Sequence, residues 1–100
     1  MFIRLKEALP QQHILAQVAF SALITSDDYK IRQKFNRKVT DFVILNTQFE
    51  VIAIIELDDP THLYKEEEDR QRDAMLKEAD YRIIRYTEIP TIRQLQKDIL

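Results

Sequence analysis

Four titratable side chains lie where the apolar runs of this chain begin and end. Asp41 opens "DFVIL", Glu56 and Asp58 close "VIAIIELDD", and His62 follows within a few residues. If the two runs form a hairpin, the start of the first lies beside the end of the second, so these carboxylates converge at one end of a sheet. The two-residue period of a strand puts Glu56 and Asp58 on the same face. Acids gathered in this way repel one another unless a cation or a proton intervenes. Hard oxygen donors in that number suit Mg²⁺ or Mn²⁺, which makes Asp41, Glu56 and Asp58 candidate metal ligands. An ion held there would polarise a phosphodiester and lower the pKa of an attacking water. Histidine ordinarily changes charge near neutrality, which makes His62 a candidate proton carrier, although the sequence by itself favours the plainer reading of a loop histidine bonded to a neighbour.

Candidate anion contacts lie on either side. Lys30, Arg32, Lys34, Arg37 and Lys38 form a basic cluster just before Asp41, of which Lys34, Arg37 and Lys38 are candidates to meet nucleic-acid phosphates, against the plainer alternative of a solvated charged face. Arg72 could face the acids and grip two phosphate oxygens with its planar guanidinium. Asp73 and Lys77 have the spacing of an exposed helical ion pair. Arg85, inside the β-rich "YRIIRY", must reach an edge or an acid partner, because a buried unpaired charge is costly.

The elements that would position these groups fit one domain. One hundred residues, 45% of them hydrophobic, suffice for one modest core and leave little room for a second. There is no cysteine, which excludes disulfides and thiolate metal sites and fits a cytoplasmic protein. There is no glycine, which excludes glycine-based phosphate loops and leaves Asn46 and Asp80 as the expected turn pivots. The net charge of -2 argues against a general coater of DNA. The longest apolar run, residues 51–55, is too short to cross a bilayer, and the start of the chain lacks a signal-peptide core.

Apolar residues at 2, 3, 5, 8 and 9 predict an amphipathic helix stopped by Pro10. Because that helix begins at the first residue without a cap, the chain is expected to be a piece of a longer protein. Residues 14–20 read as a strand, 21–28 as a helical turn or loop, and 29–37 as an irregular arm. Residues 39–45 and 50–57 read as two central strands joined by "NTQF". Asp59, Pro60 and Thr61 carry helix-start signals, and residues 70–79 are helical with Ala74, Met75 and Ala79 on one side. Residues 81–86 predict a last strand. A closing helix then runs from Pro90 and Thr91, with Ile92, Leu95 and Ile99 as its buried stripe. The expected architecture is α/β: a mixed four-stranded central sheet flanked by helices.

The succession "DFVIL", "AIIELDD", "TH", "RQRDAML", "YRIIRY" resembles the PD-(D/E)XK nuclease superfamily, and more closely the domain of unknown function 2726 family, itself similar to the very-short-patch repair endonucleases. The resemblance runs from "LKEALP" and "AQVAF" to the last strand. It implies a restriction-endonuclease-like domain over residues 1–100, with Asp41 and Glu56 as metal-binding acids and His62 close to the metal-binding strand. Asp58 falls where the superfamily pattern has Lys, a departure that removes an ammonium and adds a negative charge. Gln17 in "AQVAF" is also family-like. A further Glu on the first helix has no clear counterpart, since Glu7 is about a turn out of place.

The resemblance implies metal-dependent hydrolysis of nucleic acid with Asp41, Glu56, Asp58 and His62 as catalytic residues and Mg²⁺ or Mn²⁺ as cofactor. The alternative is a catalytically impaired module of the same fold that binds nucleic acid or a partner domain. A purely structural reading treats the acids as solvated strand ends. Expected partners are nucleic acid, DNA first, and the rest of a longer parent protein, with a second copy of the chain allowed and no membrane.

Overall fold

The computed structural model describes residues 1–24, 38–58 and 66–100, excluding the side chains of residues 66–69 and 72. The first helix, α1 (Phe2–Ala8), buries Leu5 and Ala8, as its periodicity predicts. Strands β1 (His13–Ala16), β2 (Phe42–Leu45), β3 (Val51–Leu57) and β4 (Ile83–Tyr86) form one sheet in the order β1-β2-β3-β4. The first two pairings are antiparallel and the pairing of β3 with β4 is parallel. A parallel neighbour needs a crossover, and that connection carries the helix α3 (Glu66–Glu78). The short helix α2 (Phe20–Leu23) follows β1, and α4 (Ile92–Ile99) closes the chain.

Both faces of the sheet are covered, which accounts for the unbroken apolar run of β3. On one face α1 and α4 bring Leu5, Ala8, Leu9, Leu95 and Ile99 against Ile44, Ala53 and Ile55. On the other face Phe20 and Leu76, from α2 and α3, pack on Val43 and Ile54. Successive residues of β2 and β3 thus point to opposite cores. The result is the single α/β domain with a mixed four-stranded sheet that the element order predicts. Among the described residues no helix is long and apolar enough to cross a membrane.

Several boundaries differ from the expectation. The strand expected over residues 14–20 stops at Ala16, because Gln17 turns into the left-handed region at φ 53 and the chain re-enters a helix at Phe20. Pairing with the next segment nevertheless continues past this kink: the Gln17 N–H donates to the Asp41 carbonyl, the Thr40 N–H donates to the Val18 carbonyl, and Ala19 bridges Val39. The strand expected over residues 39–45 is therefore interrupted and regular only from Phe42.

In the hairpin, Phe49 rather than Asn46 takes the positive φ, at 62. Asn46 still organises the turn through its side chain, whose Oδ1 accepts from the N–H groups of Gln48 and Glu50, each at 2.9 Å. On α3 the buried residue is Leu76, while Ala74 is exposed. The larger side chain buries more apolar surface against Phe20 and Ile54 than an alanine could. On α4, Leu95 and Ile99 are buried but Ile92 is exposed, because it stands in the first turn, next to the N-cap Thr91.

Asp80 is a left-handed pivot, as expected, with φ 65. Its N–H donates to the Lys77 carbonyl and the Tyr81 N–H to the Leu76 carbonyl, at 2.9 and 3.1 Å. This is a Schellman closure of α3, and it delays the last strand from residue 81 to Ile83. Glycine has no Cβ to resist this conformation. Asp80→Gly should therefore stabilise the domain by about 0.5–1 kcal/mol in urea unfolding, and an unchanged or lowered midpoint would contradict the assignment of strain to this residue.

Candidate functional site

The register of the sheet aligns four polar residues near one end. Beyond the Ala16–Phe42 pair, the Gln17 N–H donates to the Asp41 carbonyl at 2.8 Å. Phe42 opposes Ile55, so the next step along the two strands sets Asp41 beside Glu56. Glu56 in turn is paired with Arg85 on β4. Gln17, Asp41, Glu56 and Arg85 thus form a row across all four strands. Asp41 and Glu56 alternate with the face of Phe42 and Ile55, so they share the side of Val43 and Ile54, the side covered by α3.

Asp41 does structural work at the end of the β2–β3 ladder. The backbone just before it is committed to the segment that follows β1, since both the N–H and the Oγ1 of Thr40 donate to the Val18 carbonyl. The carboxylate of Asp41 reaches the other neighbouring strand: its Oδ2 accepts from the Leu57 N–H at 2.8 Å. This bond fixes the carboxylate across the end of β3, next to Glu56. Glu56 is only 5% exposed, a position a carboxylate tolerates only with polar or cationic company. Its register partner Arg85 brings a positive charge to that place.

Arg85 is held from two sides. Its Nε and Nη2 donate to the two oxygens of Asp73 at 2.9 and 2.5 Å, and its Nη1 donates to Oδ1 of Asp58 at 2.5 Å. The three side chains are half-buried, so this charge-assisted fork is stronger than an ordinary surface pair. Arg85 therefore finds the acid partner its place in a strand demands. Asp73 does not form the expected helical pair with Lys77. It stands one turn before the buried Leu76, facing the sheet, where the guanidinium of Arg85 is within reach, while Lys77 is exposed. The signal for Asp73 in the sequence was its three-residue spacing from Leu76.

On the opposite face, Tyr86 donates its hydroxyl proton to Asp98 at 2.7 Å, which ties β4 to α4. Burial, and then this hydrogen bond, push the Tyr86 pKa up. Hydrogen bonds from Gln94 and Tyr86 hold the Asp98 carboxyl below the usual carboxylate range. Just past β4 a shallow depression is lined by Arg85, Thr87, Glu88, Thr91 and Gln94 among others.

The structure thus brings Asp41, Glu56 and Asp58 to the same end of the sheet, but Asp58 is engaged by Arg85, and among the described residues no group of three or more His, Cys, Asp or Glu is placed to hold a metal ion. Lys38 is half-buried, and its carbonyl accepts from the Phe20 N–H. Glu7 is exposed on α1, against the opposite face. His62, Lys34 and Arg37 lie outside the described residues; Arg72 is on α3, with its side chain outside them.

A family model described as a protein of unknown function, DUF2726, matches residues 1–99. The chain belongs to this family. No curated protein and no solved structure gives a significant match. In this DUF2726 domain, then, the Asp41–Glu56 row and the Asp58–Arg85–Asp73 fork stand together at one end of the sheet.

Proposed function

We propose that this DUF2726 domain is a restriction-endonuclease-like member of the PD-(D/E)XK superfamily that hydrolyses phosphodiester bonds of nucleic acid. The observation that carries the proposal is the alignment of Asp41 with Glu56 at the end of the central strands, with the Asp41 carboxylate fixed by the Leu57 N–H. Two carboxylates from adjacent strands are a donor set that fits Mg²⁺ or Mn²⁺, which commonly take one or two carboxylates together with water and substrate phosphate. Asp41 and Glu56 would hold the ion, while the carboxylate of Asp58 is taken up by Arg85. When bound, the ion would polarise the phosphodiester and lower the pKa of the attacking water.

The chain's own residues bind, orient and move protons. Lys34, Arg37, Lys38 and Arg72 attract and position the phosphate backbone. The Leu57 N–H keeps the Asp41 carboxylate in a fixed orientation, which spares its reorganisation during the reaction. His62 takes the proton from the attacking water as the new phosphorus–oxygen bond forms, and the sugar oxygen leaves as its bond to phosphorus breaks and takes up a proton from solvent water. DNA is the first expected substrate.

One observation favours a second reading, a module of the same fold that binds nucleic acid or a partner domain without cutting it. Asp58 stands where the superfamily resemblance implies a lysine, and its carboxylate is committed to Arg85. The two readings separate in one assay of single- and double-stranded DNA and RNA with Mn²⁺ or Mg²⁺. Strand cleavage abolished by chelation supports the phosphodiesterase. Salt-sensitive binding that survives chelation, needs Lys34, Arg37 and Lys38, and occurs without cleavage supports the binding module.

A further inference from the structure

We infer that Arg85 is the cation of the site, acting on the phosphodiester itself, and that Asp58 and Asp73 serve as its positioning residues. This rests on the phosphodiesterase reading and deepens it. The register sets Arg85 directly beside Glu56, in the row that contains Asp41. The Arg85 side chain keeps 23% of its surface exposed, so the end of the acidic row that it occupies is open to a phosphate.

Its guanidinium is arranged before any substrate arrives. A long arginine side chain ordinarily loses rotamer freedom when it grips an anion, which weakens the gain. Here Nε, Nη1 and Nη2 are already engaged by carboxylates on two separate elements, the end of β3 and the middle of α3. The plane and position of the guanidinium are thereby fixed. A fixed cation next to the reacting phosphorus stabilises charge that grows on the non-bridging oxygens in the transition state, without reorganising during the reaction.

The same geometry assigns Asp58 its role. Its Oδ1 receives Nη1 of Arg85, and its N–H donates to the Tyr86 carbonyl at 2.8 Å, so backbone and side chain both tie it to β4. Asp58 therefore acts on Arg85 rather than on a metal ion. The ion-holding acids are then Asp41 and Glu56 alone.

The test compares wild type with Asp58→Ala, Asp73→Asn, Arg85→Lys and Arg85→Ala by two readouts, the Mn²⁺-induced rise in the unfolding midpoint and the hydrolysis of an oligonucleotide. All four variants should keep the Mn²⁺-induced rise. The kcat of Arg85→Ala should fall roughly 10²–10³-fold, as for loss of one pre-organised donor, and that of Asp58→Ala and Asp73→Asn about tenfold. Arg85→Lys retains the charge but not the fork and should fall between them. Millimolar guanidinium should restore part of the activity of Arg85→Ala, an effect that a merely structural arginine would not give. Loss of the Mn²⁺ response in Asp58→Ala, or wild-type kcat in Arg85→Ala, would overturn the inference while leaving the phosphodiesterase standing. A wild type that neither responds to Mn²⁺ nor hydrolyses any substrate would overturn both.

Discussion

Asp41→Asn protein should fold and yet lose hydrolysis by two orders of magnitude or more. The asparagine side-chain oxygen can still accept from the Leu57 N–H, so the cap on the end of β3 survives and the stability change stays within about 1 kcal/mol. What disappears is the negative charge on a hard oxygen donor at the centre of the acidic row. Loss of an outer-shell partner typically costs about 10–100-fold in metal affinity or activity, and loss of a direct ligand should cost more. Initial rates of oligonucleotide cleavage in Mn²⁺, measured beside urea unfolding of the same preparation, separate the two effects. Wild-type rates in the variant would remove Asp41 from the chemistry. A rate loss that merely tracks unfolding would make it a structural cap only.

The second large effect concerns stability. Arg85→Ala leaves the carboxylates of Asp58 and Asp73 without their shared guanidinium and takes the positive charge away from Glu56, which is 5% exposed. Breaking a fully buried pair by removing one partner costs about 3–5 kcal/mol, while an exposed pair is worth less than about 1. The half-buried fork lies between these limits, so a loss of about 2–3 kcal/mol is expected. Asp58→Ala or Asp73→Asn alone should cost less, because in each case Arg85 keeps a carboxylate partner. Urea unfolding with an unchanged m-value would measure this directly. A loss under about 0.5 kcal/mol would mean that the fork is solvated and contributes little.

How much of this was legible beforehand depended on the range of each interaction. The run over β3 reads as a doubly covered strand because its apolar residues occupy adjacent positions, and the structure gives it a core on each face. Asp41 and Glu56 could be set side by side from a hairpin alone, since both belong to neighbouring strands in sequence. The kink at Gln17 could not be foreseen. In a chain without glycine only Asn and Asp signal left-handed positions, as Asp80 does, whereas Gln17 and Phe49 take that conformation because the surrounding pairing demands it.

The pairing of Asp73 with Arg85 was hidden for a different reason. Local spacing offers Asp73 a partner in Lys77, whereas the partner it takes comes from another element, brought near by the packing of Leu76 on the sheet. Arg85 itself was flagged only by the cost of a charge within a strand. The basic arm and His62 lie outside the described residues and remain expectations from sequence.

The most direct test of the central claim is thermal unfolding with and without millimolar Mn²⁺, for wild type and Asp41→Asn side by side. A ligand that binds only the native state must raise the midpoint, by RT ln(1 + [L]/Kd) in free energy. A rise of several degrees in wild type that is absent in Asp41→Asn is the predicted result. Equal midpoints with and without Mn²⁺ in wild type, or the same rise in both proteins, would contradict a metal site built on Asp41.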